Sequence, residues 1–327
     1  MSKLSFKIKL KAPLHIGGTE AGLVDQPTYK LGGAPVVPAS SIKGAARHLL
    51  EEAIRREVER RAGLSGRELA AKIKCLLEDA MRELGLSVPS AFWPDELFEP
   101  YAYYPVVCDP LSHLHCNPPT SVLDVPDDTA ETFRLVASLI LLRRVGEDKL
   151  YCPACSLFGG NGHPSPLVFK NARAEGAQVG LVTRVSIDRL TGAAKQERLF
   201  TAEYVAPGAE FVGEVEFDDS GIYTPEVVRQ RWREYAAAAL RAIRQLGKFK
   251  SVGFGEVEVE VDGAGGPTLE EVARELVDEW CRGDSAQLAR RLFEFAARRG
   301  RAVDVEKYVE VVVRYAEEVK RLVCCHA

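Results

Sequence analysis

The first fifty residues set the strongest limits on what this chain can become. Leu4-Ser5-Phe6-Lys7-Ile8-Lys9-Leu10 alternates apolar and polar residues, the pattern of a half-buried strand. A Gly17-Gly18 turn follows, and then a flexible segment with one lone acid, Asp25. Pro38-Ala39-Ser40-Ser41 then offers two N-cap residues ahead of a long amphipathic helix. Lys43 and Arg47 lie four residues apart and share one face of that helix's first turns. Cations are unfavourable at a helix N-terminus, where the dipole is already positive. The pair therefore predicts an anion beside the exposed N–H groups, with Ser40 and Ser41 as further donors.

The rest of the chain supplies a recognisable element order. A helix is expected from Ser41 to about Arg61, with Leu49, Leu50, Ile54 and Val58 at helical spacing and Gly63 as its stop. Ser65 and Glu68 form a capping-box pattern for a second helix, ending near Leu84 at Gly85. Residues 86–130 are rich in aromatics and proline and read as irregular, and a short helix is expected over about 130–145. From Pro166 the chain becomes strand-like, with a hairpin turning at Thr191-Gly192. A helix over about 225–246, a Gly-rich loop and an alternating strand follow, and residues 267–322 read as helices only.

That order predicts an α+β fold: a ferredoxin-like, RRM-like βαββαβ core with an insertion and added helical segments. The expected division is a core over 1–62 plus 155–266 with a protruding hairpin at 183–206, and a helical insertion over 63–86. A metal-binding lid over 87–165 and a C-terminal helical module over 267–327 complete it.

Residues 1–50 carry seven Lys/Arg against two acids, although the whole chain is at −4. The average therefore argues against a wholly basic nucleic-acid binder and leaves room for a local phosphate-binding face. No apolar run approaches the ~18 residues that a membrane span needs. The N-terminus lacks a signal-peptide apolar stretch, so a cytoplasmic location is expected.

Two cysteine-containing pairs stand out. Cys152-Pro153-Ala154-Cys155 is a CxxC knuckle, and His113 with Cys116 has the same spacing. Four such groups suit tetrahedral Zn²⁺, which would be structural and would stabilise a segment with little apolar mass. Cys108 is an alternative to His113, and His115 sits next to Cys116 in an awkward position. A redox CxxC and a disulfide are the rival readings; the first lacks its usual context of a strand leading into a helix. Cys75, Cys281, Cys324 and Cys325 read as plain thiols.

The motifs also carry a resemblance. LHIGG (14–18), the acid before a proline in Val24-Asp25-Gln26-Pro27, and VPASSIKGAAR (37–47) resemble the start of a RAMP-superfamily protein. The similarity is greatest to the Csm-type repeated backbone subunit of type III CRISPR effector complexes. CSLFGG (155–160) matches a recurrent segment of that family. RVSIDR (184–189) with Thr191-Gly192 and Leu199-Phe200 resembles its thumb hairpin, and Ser251–Gly255 resembles its glycine-rich loop.

The resemblance implies a protein that binds single-stranded CRISPR RNA without sequence preference and stacks in copies along it with other type III subunits. It would act on target RNA in the assembled complex. His15, Arg184, Arg189, Gly253 and Gly255 join Ser40, Ser41, Lys43 and Arg47 as RNA-binding candidates. Asp25 matches the acid required for target cleavage, where a carboxylate can hold Mg²⁺ or another divalent ion. The surroundings of Asp25 depart from the family pattern, so a zinc-stabilised RNA scaffold without nuclease activity is the alternative. A zinc hydrolase is the second alternative, and it requires an open metal position.

Overall fold

The computed structural model describes residues 3–18, 24–86, 104–108, 116, 127–143, 151–160, 164–187, 194–218, 224–263, 265–300 and 303–324. The strands are β1 (Lys3–Leu10), β2 (Lys30–Leu31), β3 (Ala34–Val37), β4 (Leu167–Phe169), β5 (Ala172–Arg173), β6 (Val179–Ile187), β7 (Ala194–Val205), β8 (Glu210–Phe217) and β9 (Val257–Val261). The helices are α1 (Ala39–Ala62), α2 (Gly66–Leu84), α3 (Asp127–Ile140), α4 (Pro153–Phe158), α5 (Glu226–Arg241), α6 (Leu269–Arg282), α7 (Ser285–Arg298) and α8 (Val305–Val323). None of the described helices is long and apolar enough to cross a membrane. The chain divides into two compact units: 1–49, 167–217 and 233–266 form the first, and 50–166, 218–232 and 267–327 the second.

The first unit is an antiparallel sheet in the order β2-β3-β5-β8-β1-β9, with β4 also paired to β8. β1 sits between β8 and β9, antiparallel to both. β8 in turn separates β1 from β4 and β5. Because α1 lies in the chain between β1 and β4, and α5 between β8 and β9, each helical connection skips one strand. The result is two interleaved β-α-β units. Leu4, Phe6, Ile8 and Leu10 point to the buried face of β1, as the alternation requires. Phe6 pairs with Gly213 of β8, where a Cβ would lie 2.4 Å from the Phe6 ring. Only glycine leaves room for that ring.

The other face of β1 alters the meaning of the basic N-terminus. Lys3 pairs with Glu214 and Glu216 at 3.1 and 3.2 Å, and Lys7 with Glu210 at 2.9 Å. Lys9 pairs with Glu260 and Lys11 with Glu258, each at 2.6 Å. The lysines that made residues 1–50 look like a phosphate footprint are thus largely matched by cross-strand carboxylates.

The second unit is mainly helical. α2 starts and stops as its local sequence demands: the Ser65 N–H and hydroxyl both donate to the Glu68 carboxylate, and Gly85 ends the helix in the left-handed region at φ 72°. Leu69, Ile73, Leu77 and Met81 form its buried stripe. α8 packs against α2, α3 and α7 through Val309, Val312, Ala316 and Val319, so 63–86 and 267–323 share one unit. Cys281 of α6 and Cys324, at the end of α8, form a disulfide. The expectation of two plain thiols there is corrected, because packing brings together residues separated by 43 positions.

Candidate nucleic-acid interface and metal centre

In the first unit the motif residues gather along β7. The chain leaving β1 is tied to it by Leu14 and Val205, which exchange hydrogen bonds at 3.0 and 2.8 Å. His15, fully buried, places Nδ1 2.7 Å from the Glu203 carbonyl oxygen. The segment 16–29 then doubles back on itself. The Gly18 N–H donates to Pro27 O at 2.9 Å and the Tyr29 N–H to Ile16 O at 2.7 Å. The approach is close, since a Cβ at Gly18 would lie 3.0 Å from the Thr28 carbonyl oxygen. The described residues at the segment's two ends, 16–18 and 27–29, thus pair as a ribbon.

Asp25 sits on that ribbon, exposed, with Oδ2 accepting the Thr201 N–H at 2.7 Å. Gln26 continues the attachment, donating to Thr201 O at 3.1 Å and accepting from the Glu203 N–H at 2.9 Å. Asp25 and His15 thus dock on the same strand at Thr201 and Glu203, about 7 Å apart along β7.

Glu203, which the sequence reading passed over, organises this region. Its carboxylate accepts from the Thr28 N–H at 3.0 Å and pairs with Lys30 at 2.9 Å. Burial works against its ionisation, but the bond to Lys30 and the Thr28 N–H outweigh it and hold the carboxyl below its ordinary value. Burial pushes the His15 imidazole below its ordinary value; the bond to Glu203 opposes this, and the charges of Lys248 and Arg184 reinforce it.

The glycine-rich loop closes over the same place. The Lys248 N–H donates to His15 O at 2.9 Å, the Gly255 N–H to Pro13 O at 2.8 Å, and the Leu246 N–H to Gly255 O at 2.9 Å. Gly255, at φ 82°, leaves no room for a Cβ, which would lie 2.1 Å from Leu246 O. Gly253, at φ 84°, has open space beside it. Phe249 adopts the left-handed region at φ 62°, an uncommon and strained conformation for a bulky residue. Its neighbours hold it there. The Arg184 guanidinium lies 4.2 Å from its ring centre and 4.8 Å from that of Phe254, while His15 and Phe200 approach at 5.2 and 6.4 Å. Arg184 is presented by the β6–β7 hairpin, opposite Phe200. Arg189 lies outside the described residues.

α1 carries the remaining candidates on a different support. The helix begins at Ala39, so Ser40 and Ser41 lie inside its first turn and are not its caps. The cap comes from Asn171, whose side-chain oxygen accepts the Ala39 N–H at 2.8 Å. Ser40 is exposed, and Ser41, Lys43 and Arg47 are half-buried. Burial, and then the charge of Arg47, push the Lys43 ammonium below its ordinary value. α1 has no acid in its first turn to offset these cations.

The second unit holds a separate centre. Cys108, Cys116, Cys152 and Cys155 are all buried, with their sulfurs within 4.8 Å of one another. The Cys108 sulfur is 3.5 Å from that of Cys155 and 3.6 Å from that of Cys152. Sulfurs placed tetrahedrally about zinc at about 2.3 Å would be about 3.8 Å apart, so the cluster fits such an ion. The Cys152 N–H points to the Cys116 sulfur at 3.1 Å and the Cys155 N–H to that of Cys152 at 3.4 Å, an environment that favours thiolates. Burial pushes the Cys116 thiol up. Burial also opposes ionisation of Cys152, yet hydrogen bonds from Cys108, Cys116 and Cys155 bring its thiol well below the ordinary value. Cys116, Cys152 and Cys155 come together as expected, and Cys108 completes the four. His113 and His115 lie outside the described residues.

Trp280 Nε1 donates to Tyr151 O at 3.1 Å, fastening α6 to the chain that enters the CxxC knuckle. All four sulfurs can serve one cation, and a buried tetrathiolate offers no obvious place for a bound water.

Comparison with curated proteins finds no significant match. The sequence model of the RAMP superfamily matches residues 7–258, which run from within β1 to within β9, include the cysteine cluster and end before α6. The chain is therefore a member of the RAMP superfamily, CRISPR-associated proteins that bind CRISPR RNA and other CRISPR subunits.

Proposed function

We propose that this protein is a Csm-type backbone subunit of a type III CRISPR effector complex, with a ferredoxin-like core that binds single-stranded CRISPR RNA. Copies stack along the guide, and Asp25 cuts paired target RNA in the assembled complex. The observation that carries the reading is the meeting of three motif-bearing segments: the 14–29 ribbon docks on β7 of the thumb-like hairpin, and the glycine-rich loop bonds to Pro13 and His15 and stacks against Arg184 and Phe200. The α1 N-terminus supplies phosphate contacts through Ser40, Ser41, Lys43 and Arg47. Such contacts set register and read no sequence, which suits a protein whose specificity resides in base pairing.

The cysteine cluster is assigned to structural zinc. Four buried thiol ligands satisfy a tetrahedral ion without the open position a zinc hydrolase needs. For cleavage, the exposed Asp25 would hold Mg²⁺ or a similar ion, which would stabilise charge at the scissile phosphate. One observation favours the scaffold alternative: an Asp25 oxygen is already engaged by the Thr201 N–H.

The primary test is single-stranded RNA binding as a function of salt. Affinity should be independent of sequence, with a log–log slope of roughly −0.7 per neutralised phosphate. Combining Lys43→Ala with Arg47→Ala should flatten that slope by about one to two units. An unchanged slope would remove the α1 N-terminus from the RNA path.

A further inference from the structure

The hydrogen bonding of His15 fixes what its free nitrogen can do. The Glu203 carbonyl oxygen can only accept, so His15 Nδ1, 2.7 Å away, is the nitrogen that carries hydrogen. In the neutral ring Nε2 is then a bare lone pair. That atom is buried and has no hydrogen-bond partner within the protein. A buried acceptor left unmatched is costly, and it points to a donor supplied from outside.

The surroundings indicate which donor. Beside Nε2 lies Gly17, where a Cβ would be 3.9 Å from Nε2 and 3.0 Å from Lys248 Nζ. Lys248 is exposed, and the end of its flexible arm lies beside the same glycine as Nε2. Arg184, against the Phe249 ring, likewise has a buried Nε with no hydrogen-bond partner. Glu203, the nearby acid, is committed to Lys30 and the Thr28 N–H. The fitting ligand therefore carries a neutral hydroxyl donor next to an anion. A ribonucleotide has that arrangement, with its 2′-hydroxyl beside the 3′-phosphate, and a deoxyribonucleotide lacks the hydroxyl.

We propose that His15 Nε2 accepts a hydrogen bond from a ribose 2′-hydroxyl while Lys248 and Arg184 hold the adjoining phosphate, so that this subsite distinguishes RNA from DNA. The proposal rests on the reading of this face as RNA-binding and adds the chemical group that is read. His15 is a specificity-determining residue, and Lys248 acts as a phosphate ligand.

The test compares oligouridylate with equal-length strands bearing 2′-fluoro or 2′-O-methyl groups, which remove the hydroxyl donor. His15→Asn keeps an N–H where Nδ1 stood, to donate to Glu203, and removes the Nε2 acceptor. The unaltered protein should prefer the ribose strand by about three- to tenfold per occupied subsite, the scale of one hydrogen bond. His15→Asn should bring that ratio close to one while 2′-fluoro affinity stays within about twofold. Lys248→Met should weaken ribose and 2′-fluoro strands in parallel and preserve the ratio. Retention of the preference in His15→Asn, or equal weakening of both strands, would overturn the proposal. Loss of the ratio in Lys248→Met alone would transfer the reading to the ammonium. If the unaltered protein binds none of the strands, the RNA-binding reading itself falls, and the inference with it.

Discussion

The Asp25 carboxylate accepts the Thr201 N–H at 2.7 Å, so the acid matched to target cleavage is also a clasp between the 14–29 ribbon and β7. One oxygen holds backbone and the exposed carboxylate has a second for a cation. Structure and chemistry can be separated because amide and carboxylate differ in charge while both can accept.

Asp25→Asn retains an oxygen for Thr201 and removes the charge. In a reconstituted complex, guide and target binding should persist while target cleavage falls by at least about 100-fold, the scale for losing a group that acts in the transition state. Asp25→Ala should also loosen the ribbon, seen as faster amide exchange at Thr201. Cleavage that survives Asp25→Asn would make the protein a scaffold.

Replacing Cys152 and Cys155 with serine should release the bound cation, read as metal per chain by mass spectrometry. The second unit should lose protection from proteolysis around 104–160, because metal binding supplies folding free energy there. The salt-bridged sheet of the first unit should keep its protection. Stoichiometric metal in the double variant would show that the thiols are not its ligands.

Asn171→Ala removes the acceptor for the Ala39 N–H. Loss of such a cap costs about 1 kcal/mol. Ser40→Ala and Ser41→Ala, which leave the cap intact, should change unfolding free energy by less than about 0.5 kcal/mol. A reversal of that order, measured by urea denaturation, would restore the serines as caps.

Glu57 supplies a pH signature. The Arg60 guanidinium beside it, helped by the buried Arg61 and opposed by burial, pulls its carboxyl from the ordinary 4.5 down to about 2. The unfolded chain therefore binds this proton more readily. Glu57's contribution should be complete above about pH 5 and drain away as pH falls toward 2. Glu57→Gln should be less stable by on the order of 2–3 kcal/mol at pH 7, with the gap closing toward pH 2. A gap that does not change with pH would mean that Glu57 acts through packing.

What the sequence revealed divides by distance. The Ser65–Glu68 box and the Gly85 stop were legible because every participant lies within a few residues. The strand order was legible as a pattern of alternation and helical spacing. Asn171 was not, since it caps α1 from 132 positions away and no local rule links the two. The serines next to the helix start therefore looked like the natural caps. Cys152, Cys155 and Cys116 declared themselves by spacing, whereas Cys108 has no second ligand three residues away. Glu203 was hidden because an acid on a strand is ordinarily a solvated face. Lys248 and Phe249 were not legible, because their roles depend on His15 and Arg184, both distant in sequence.

The second unit holds four gathered thiols and one closed disulfide, an arrangement with a consequence for biogenesis. With Cys75 and Cys325, all eight cysteines of the sequence fall in this unit, and they can cross-link in many wrong ways while the chain is still folding. A cation seated at Cys108, Cys116, Cys152 and Cys155 would act as a protecting group, withdrawing those sulfurs from exchange and halving the thiols among which Cys281 and Cys324 must find each other. Metal supply during synthesis would then govern the fidelity of oxidation. Chains made under chelation should emerge as scrambled isomers, separable on a non-reducing gel, and zinc added afterwards should not repair them.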